Sequence, residues 1–380
     1  MKFIINGAKL NESIQHIASI VSTNNAMPAV ENYMLALKDN FLVIRGTDLE
    51  TMIEVKLELE SFEAGDVNEV LVEAKLFGNL LSQLSSFPLT INVDDANLTV
   101  EIVAGTGKYK IAGLPIEGFP EPKELEEPQM TTFTSRLLVN AIEKTSFATS
   151  TDDLRPQMTG VFCKQTADYI TFVATDAHKM VRYRNMESKS DDEFSFILPK
   201  KPLTIISKII SSFNEELEIV TRFNYSNVCF EFANYVFFSR LKEGQYPNYD
   251  AAIPKDNPNK LIVDRQMFLS GIKRAAILAD PSTKQIRLIL TTNQLVVVAA
   301  NMGSNEAAKD TINCSYEGDK MEIGFNATYL IEMLSTLDTP NVLLEMSQPN
   351  RAGVMTPYEE QKTDNKEDVL MLLMPINLID

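Results

Sequence analysis

With 380 residues, 44% hydrophobic and 23% charged, the chain is too long for one ordinary domain and too apolar for wholesale disorder. Its formal net charge of −17 argues at first sight against nucleic acid, because neutralising phosphates takes Lys and Arg. Cys163, Cys229 and Cys314 lie far apart without CxxC spacing, which excludes a disulfide framework and a zinc site and leaves buried thiols of a reducing compartment. The first residues lack the apolar core of a signal peptide, and no run approaches the ~18 apolar residues of a membrane span, so a cytoplasmic protein that needs no membrane is expected.

The first third reads as a strand at 1–5, then a helix capped by Asn6 with Leu10, Ile14, Ile17, Ala18 and Val21 on one face. Strands at 32–37, 41–45, 51–59 and 70–72 follow. A second helix at 73–84 carries Leu76, Leu80, Leu81 and Leu84, and strands at 90–93, 97–103 and 108–113 close the unit. An acidic, Pro-containing linker covers 121–128. The second third repeats the order: a helix capped by Ser135, strands on either side of residues 175–179, a helix through 203–210, and strands at 217–221, 227–233 and 235–240. After a linker at 254–260, the last third has a strand at 261–263 and a helix capped by Asp264. Strands at 285–290, 294–299 and 308–315, a helix at 327–337, and strands at 341–346, 352–356 and 369–374 complete it.

The order is therefore triplicated, with about 125 residues per copy: 1–121, 129–253 and 260–380. Each copy fits an α+β unit of two helices packed on antiparallel sheet, because hairpin-length gaps favour antiparallel pairing. The clearest marker is the polar turn Thr175-Asp176-Ala177-His178-Lys179, which has a relative in Gly46-Thr47-Asp48-Leu49-Glu50 and a weaker one near 295–301.

Chemistry is sparse. The chain has two histidines; His16 reads as a partly exposed helix residue, while His178 with Asp176 has the residue types of an acid–base pair. No GxSxG, HExxH or phosphate-binding glycine loop accompanies them, and the Asp-rich stretches at 151–153 and 363–368 lack EF-hand spacing, so no catalytic residue, metal or cofactor is expected. Lys75, Arg136, Lys144, Lys200, Lys201 and Lys208 fall on or beside helices. They are either solvated faces or one weakly positive surface shared by corresponding helices, and periodicity leaves both open.

Six segments in register bear on that choice: Pro28-Ala29-Val30-Glu31-Asn32, Gly46-Thr47-Asp48-Leu49-Glu50, the stretch from Val173 to Lys179, Gly244-Gln245-Tyr246-Pro247-Asn248-Tyr249, Met321-Glu322-Ile323-Gly324-Phe325-Asn326 and Met374-Pro375-Ile376-Asn377-Leu378. Together they resemble the bacterial sliding clamp family, the beta subunits of DNA polymerase III, over the whole chain. The resemblance implies three tandem clamp folds and a head-to-tail homodimer closing into a ring around double-stranded DNA. It makes the six helix cations DNA-facing and the protein a non-catalytic processivity factor. Implied partners are the replicative polymerase, a clamp loader and other proteins carrying a clamp-binding peptide. These would dock in a cleft of Arg155, Met158, Thr175, Ala177, His178, Met180, Pro247, Asn326 and Tyr329 with Leu372, Leu373, Met374, Pro375, Ile376 and Leu378. The resemblance also places Tyr109 and Ile111 against Ile277 and Leu278 at the subunit contact. The family often has Gly where Ala177 stands, and it has a basic residue near Asn24 that is absent here. The alternative readings are a protein-interaction scaffold that does not encircle DNA and, more distantly, a hydrolase or transferase centred on Asp176 and His178.

Overall fold

A computed structural model describes residues 1–21, 27–122, 124–301, 306–360 and 366–378; Asn24 and part of the third turn lie outside them. Contacts divide the chain into two compact units, one of residues 1–138 with 201–241 and the other of 139–200 with 242–380. The middle third of the sequence is thus shared between the two units.

Six helices form, at Gly7–Ala18 (α1), Ala74–Leu84 (α2), Ser135–Thr145 (α3), Lys200–Ile210 (α4), Arg265–Ala276 (α5) and Ala327–Ser335 (α6). The caps follow the sequence. Asn6 Oδ1 accepts from Lys9 N–H, Glu73 from Leu76 N–H and Asp264 from Met267 N–H, each satisfying a donor that the first turn leaves open. The stripe on α2 differs from the expected one. Ala74, Phe77, Leu81 and Leu84 are buried, whereas Leu76 is 48% exposed. At 3.6 residues per turn, positions 77, 81 and 84 share a face that position 76 flanks. α4 begins at Lys200, earlier than expected, with Pro202 in its first turn where no intrahelical N–H is needed. The strands Ser61–Glu63 and Ser315–Glu317 are too short for a period-2 signal and went unanticipated.

In the first unit, a nine-stranded sheet joins Thr51–Glu58 antiparallel to Tyr235–Arg240, with Thr51 opposite Ser239 and Val55 opposite Tyr235. In the second unit, another nine-stranded sheet joins Lys179–Asn185 to Glu367–Leu373, from Lys179 opposite Leu373 to Asn185 opposite Glu367. Each joint pairs the third strand of one three-stranded meander with the third strand of the next repeat's second meander. Two sheets are left: a five-stranded one in the first unit ending at Gly107–Ile111, and a four-stranded one in the second unit ending at Glu306–Asn313. Inner faces alternate with outer ones along the strands, and Phe3, Tyr33 and Phe77 in the first unit and Phe268 and Phe325 in the second are fully buried.

His16 is buried, against expectation. Its Nδ1 lies 2.8 Å from the Tyr235 hydroxyl, a partner 219 residues away that local sequence could not reveal. Cys163 and Cys229 are buried and Cys314 is half-buried, and burial pushes all three thiols upward.

Candidate functional site

The turn at Thr175 is built by its own side chains. Thr175 Oγ1 donates to Lys179 O (2.8 Å) and accepts from Ala177 N–H (3.1 Å), while Asp176 Oδ1 accepts from His178 N–H (2.9 Å) and Lys179 N–H (2.8 Å). This holds Ala177 at φ 73°, the left-handed region that favours glycine. Asp176 is therefore a turn-forming residue, and the Thr175 hydroxyl already has two partners.

Lys179 joins this turn to α6. Its side chain is 6% exposed, and Nζ bonds Glu332 (2.9 Å) and Asp176 (3.3 Å) while sitting 4.1 Å from the Tyr329 ring centroid. The His178 ring lies nearly parallel to Tyr329, centroids 6.5 Å apart. Lys179 and Glu332 were not singled out from sequence; the signal was Asp176 three residues before Lys179, at the spacing of an Asx turn.

The terminal segment supplies the opposite wall. Met374 N–H donates to His178 O (2.9 Å), continuing the ladder between Lys179–Asn185 and Glu367–Leu373. Ile376 N–H donates to Gly324 O (2.8 Å). A Cβ on Gly324 would meet Ile376 O and Leu378 Cδ2 at 2.8 Å, so glycine is required for the tail to lie there. Asn326 caps α6 through Thr328 N–H (2.9 Å) and Tyr329 N–H (3.4 Å), and its Nδ2 donates to Thr283 O.

The expected cleft residues thus separate into two sets. Thr175, Ala177, His178, Tyr329, Asn326, Met374, Ile376 and Leu378 are tied together by these contacts. Met180 and Leu372 lie beneath them in one buried cluster with Val173 and Tyr246, the residue before Pro247; Leu373 is also buried. Met180 and Leu372 share one face of the sheet, and Leu373 turns to the other. The surface itself is offered by Ala177, His178 and Met374, with Pro375, Ile376 and Leu378 half-buried. Met158 is buried and Arg155 pairs with Asp152 (3.0 Å) beside the short 3-10 turn Pro156–Thr159.

Lys75, Arg136 and Lys208 project from their helices into solvent with no ion pair among the described residues. Lys200 is exposed at the start of α4, and Lys201 pairs with Asp48 (2.7 Å). Lys144 pairs with Asp338 (3.2 Å) and is 13% exposed. Lys273 and Arg274 in the last turn of α5 belong to the same class of helix cations and were not picked from sequence; Arg274 is held by Asp310. Tyr109 and Ile277 are exposed, at 37% and 79%, whereas Ile111 is buried in its own sheet and Leu278 is half-buried. Among the described residues, no three His, Cys, Asp or Glu side chains are grouped to hold a metal, and no helix is long and apolar enough to cross a membrane.

Three family models match the chain in order: DNA polymerase III beta subunit, N-terminal domain over residues 1–123, central domain over 132–248 and C-terminal domain over 250–374. The beta sliding clamp of Bacillus subtilis is 27% identical over 384 residues, covering 99% of each chain. That of Vibrio cholerae is 27% identical over 380 residues, covering 100% of each. A solved DNA polymerase sliding clamp from Pseudomonas aeruginosa matches all of both chains with a TM-score of 0.89 at 25% identity. The fold of the beta subunit from Streptococcus pyogenes matches with a TM-score of 0.91 at 23% identity, covering 100% of each chain.

Proposed function

This chain belongs to the DNA polymerase III beta subunit family, and from that premise we propose that it acts as a ring-shaped homodimer that encircles duplex DNA and tethers the replicative polymerase. The observation that carries the reading is the repeated joint. Within the chain, the same pairing of third strands makes two nine-stranded sheets. The unused five-stranded and four-stranded sheets are the two parts of a third, and the same rule pairs Gly107–Ile111 of one copy with Glu306–Asn313 of another. The first edge carries Lys108 and Lys110 and the second Glu306, Lys309 and Asp310, with Lys110 paired to Glu101 and Asp310 to Arg274 within the chain. A head-to-tail contact of this kind closes when its rotation closes.

Encirclement reconciles the charge of −17 with DNA. A topological link needs little affinity, so Lys75, Arg136 and Lys208, with Lys144, Lys200 and Lys201, supply only weak, sequence-independent phosphate contacts that let the duplex slide. Lys144 and Lys201 exchange their carboxylate partners for phosphate or contribute less. Partners bind as an extended peptide across Ala177, His178 and Met374, where flexible methionine and aliphatic side chains suit several sequences. The clamp loader and other peptide-bearing proteins use the same place. The protein performs no chemistry of its own and works in the cytoplasm.

The test is retention on DNA. After loading by its clamp loader, the protein should stay on closed circular DNA through gel filtration and be lost once the circle is cut. Equal retention on both would sink topological binding. Charge reversal of Lys75, Arg136 and Lys208 to Glu should weaken loading and leave peptide binding intact; no effect on loading would favour a scaffold that does not encircle DNA.

A further inference from the structure

Strand Lys179–Asn185 leaves the Thr175 turn with Met180, Arg182 and Arg184 on one face, because successive side chains alternate. Arg182 stands opposite Val173 and Leu370, and Val173 opposite Phe162, so all four share that face. The segment 242–253 lies over it as a strap. Lys242 N–H donates to Ile197 O (2.9 Å). Tyr246 stacks on Phe162 with centroids 4.9 Å apart, and Tyr249 tilts against the same ring at 6.2 Å. Tyr246 is buried in one cluster with Met180 and Leu372, and Tyr249 and Ile253 pack on it. Pro247, one of the expected cleft residues, falls between the two tyrosines.

Two arginines under this apolar strap need an account. Their side chains are 12% and 18% exposed, and the Nε of each is buried without a hydrogen-bond partner among the described residues. A guanidinium stays charged, so its burial calls for carboxylates. Arg182 Nη2 bonds Asp368 Oδ2 at 2.7 Å, and Arg184 lies over the Tyr169 ring at 4.8 Å. Both also face Asp250, whose Oδ1 lies 3.9 Å from Arg182 Nη1 and 3.8 Å from Arg184 Nη2. Two cations and two carboxylates balance, and of the four only Asp250 belongs to the strap, in the short 3-10 turn Tyr249–Ala252.

We propose that Asp250 is a positioning residue for the peptide site. By straddling Arg182 and Arg184 it clips the strap to the sheet, and so holds Tyr246 under the Ala177, His178 and Met374 surface and Pro247 at its border. The role rests on the reading of that surface as a peptide site. Without the carboxylate, Arg184 has no ion pair among the described residues, and the end of the strap keeps only its apolar contacts. A carboxylate one methylene longer would close the two gaps, and Asp250, 58% exposed, has room for it.

The probe is labelled Ac-Ala-Leu-Val-Leu-Ala-amide, titrated against the full chain by fluorescence anisotropy, with amide hydrogen exchange of residues 246–253 followed in parallel. Asp250→Asn should weaken binding about fivefold and speed exchange in the strap, whereas Asp250→Glu should match the wild type. In an Arg184→Gln chain, Asp250→Asn should cost less than about twofold more, because the two residues act as a pair. In about 1 M NaCl the gap between wild type and Asp250→Asn should close, since an ion pair is screened and a packing defect is not. Equal affinity of wild type and Asp250→Asn, Asp250→Glu as weak as Asp250→Asn, unchanged strap exchange, full additivity with Arg184→Gln, or a gap that persists in salt overturns the role. A wild-type chain that binds no peptide removes the site and this role with it, while strap exchange still reports on the clip.

Discussion

Ala177 sits at φ 73° with a side chain that gains nothing from it, since the turn is made by Thr175 and Asp176. Left-handed backbone costs a residue with Cβ roughly 1–2 kcal/mol, and glycine's greater freedom in the unfolded chain takes back ~0.4–1 kcal/mol. Ala177→Gly should therefore stabilise the protein by about 0.5–1 kcal/mol, read as a higher urea midpoint at unchanged slope; a lower midpoint would contradict the geometry. His16 makes the second residue-scale prediction. Burial lowers its pKa below 6.5, Lys208 adds to the effect, and Glu12 opposes it. Below pH 6.5 the unfolded chain then takes up a proton that the folded chain refuses, so stability is full above 6.5 and falls as pH drops toward the depressed folded value. In His16→Gln that part of the pH dependence should vanish from urea midpoints taken between about pH 5 and 7.

At the scale of elements, the proposed peptide surface depends on how the last residues are fastened. Strand Glu367–Leu373 is locked by seven register pairs, but beyond it the tail is held by Met374 N–H on His178 and Ile376 N–H on Gly324. Gly324→Ala should push the tail away, since its Cβ would lie 2.8 Å from both Ile376 O and Leu378 Cδ2. Peptide affinity should fall by about tenfold, equivalent to ~1.4 kcal/mol, measured by anisotropy with an uncharged apolar peptide. The Gly324 strand keeps its own pairing with Gln285–Thr291, so circular dichroism should remain native; unchanged affinity would mean that the tail is not part of the site.

For the whole molecule, the decisive feature is a pair of strands, Gly107–Ile111 and Glu306–Asn313, that end their sheets with no partner on the outer side among the described residues. Exposed edges invite pairing, and proteins leave them open where pairing is intended or else protect them with charge. Ile277 lies just after α5, which packs on the Glu306–Asn313 edge through Arg274 and Asp310, and at 79% exposed it has the exposure of a side chain awaiting a partner. Ile277→Asp should convert a two-chain particle to one chain in sedimentation equilibrium at micromolar protein, with native circular dichroism. A persistent dimer would remove Ile277 from the contact.

Much was legible in the chain itself. Caps at Asn6 and Asp264, apolar spacing in the helices, and turn chemistry at Thr47 and Thr175 are local, so they fix the elements and the threefold order. The turn at Thr175, proposed here as the anchor of the peptide site, belongs to that class. Other features depend on side chains that meet only after folding. Tyr235 reaches His16, Lys179 is buried between Asp176 and Glu332, and Gly324 lies under Ile376. The joints are of the same kind: strand Thr51–Glu58 pairs with Tyr235–Arg240 across most of two repeats, which no periodicity encodes. Sequence determined the repeated unit, because its signals span a few residues. Tertiary structure alone decided how the repeats share sheets, because strand partners are chosen by long-range ladders and buried faces that exist only in the folded chain.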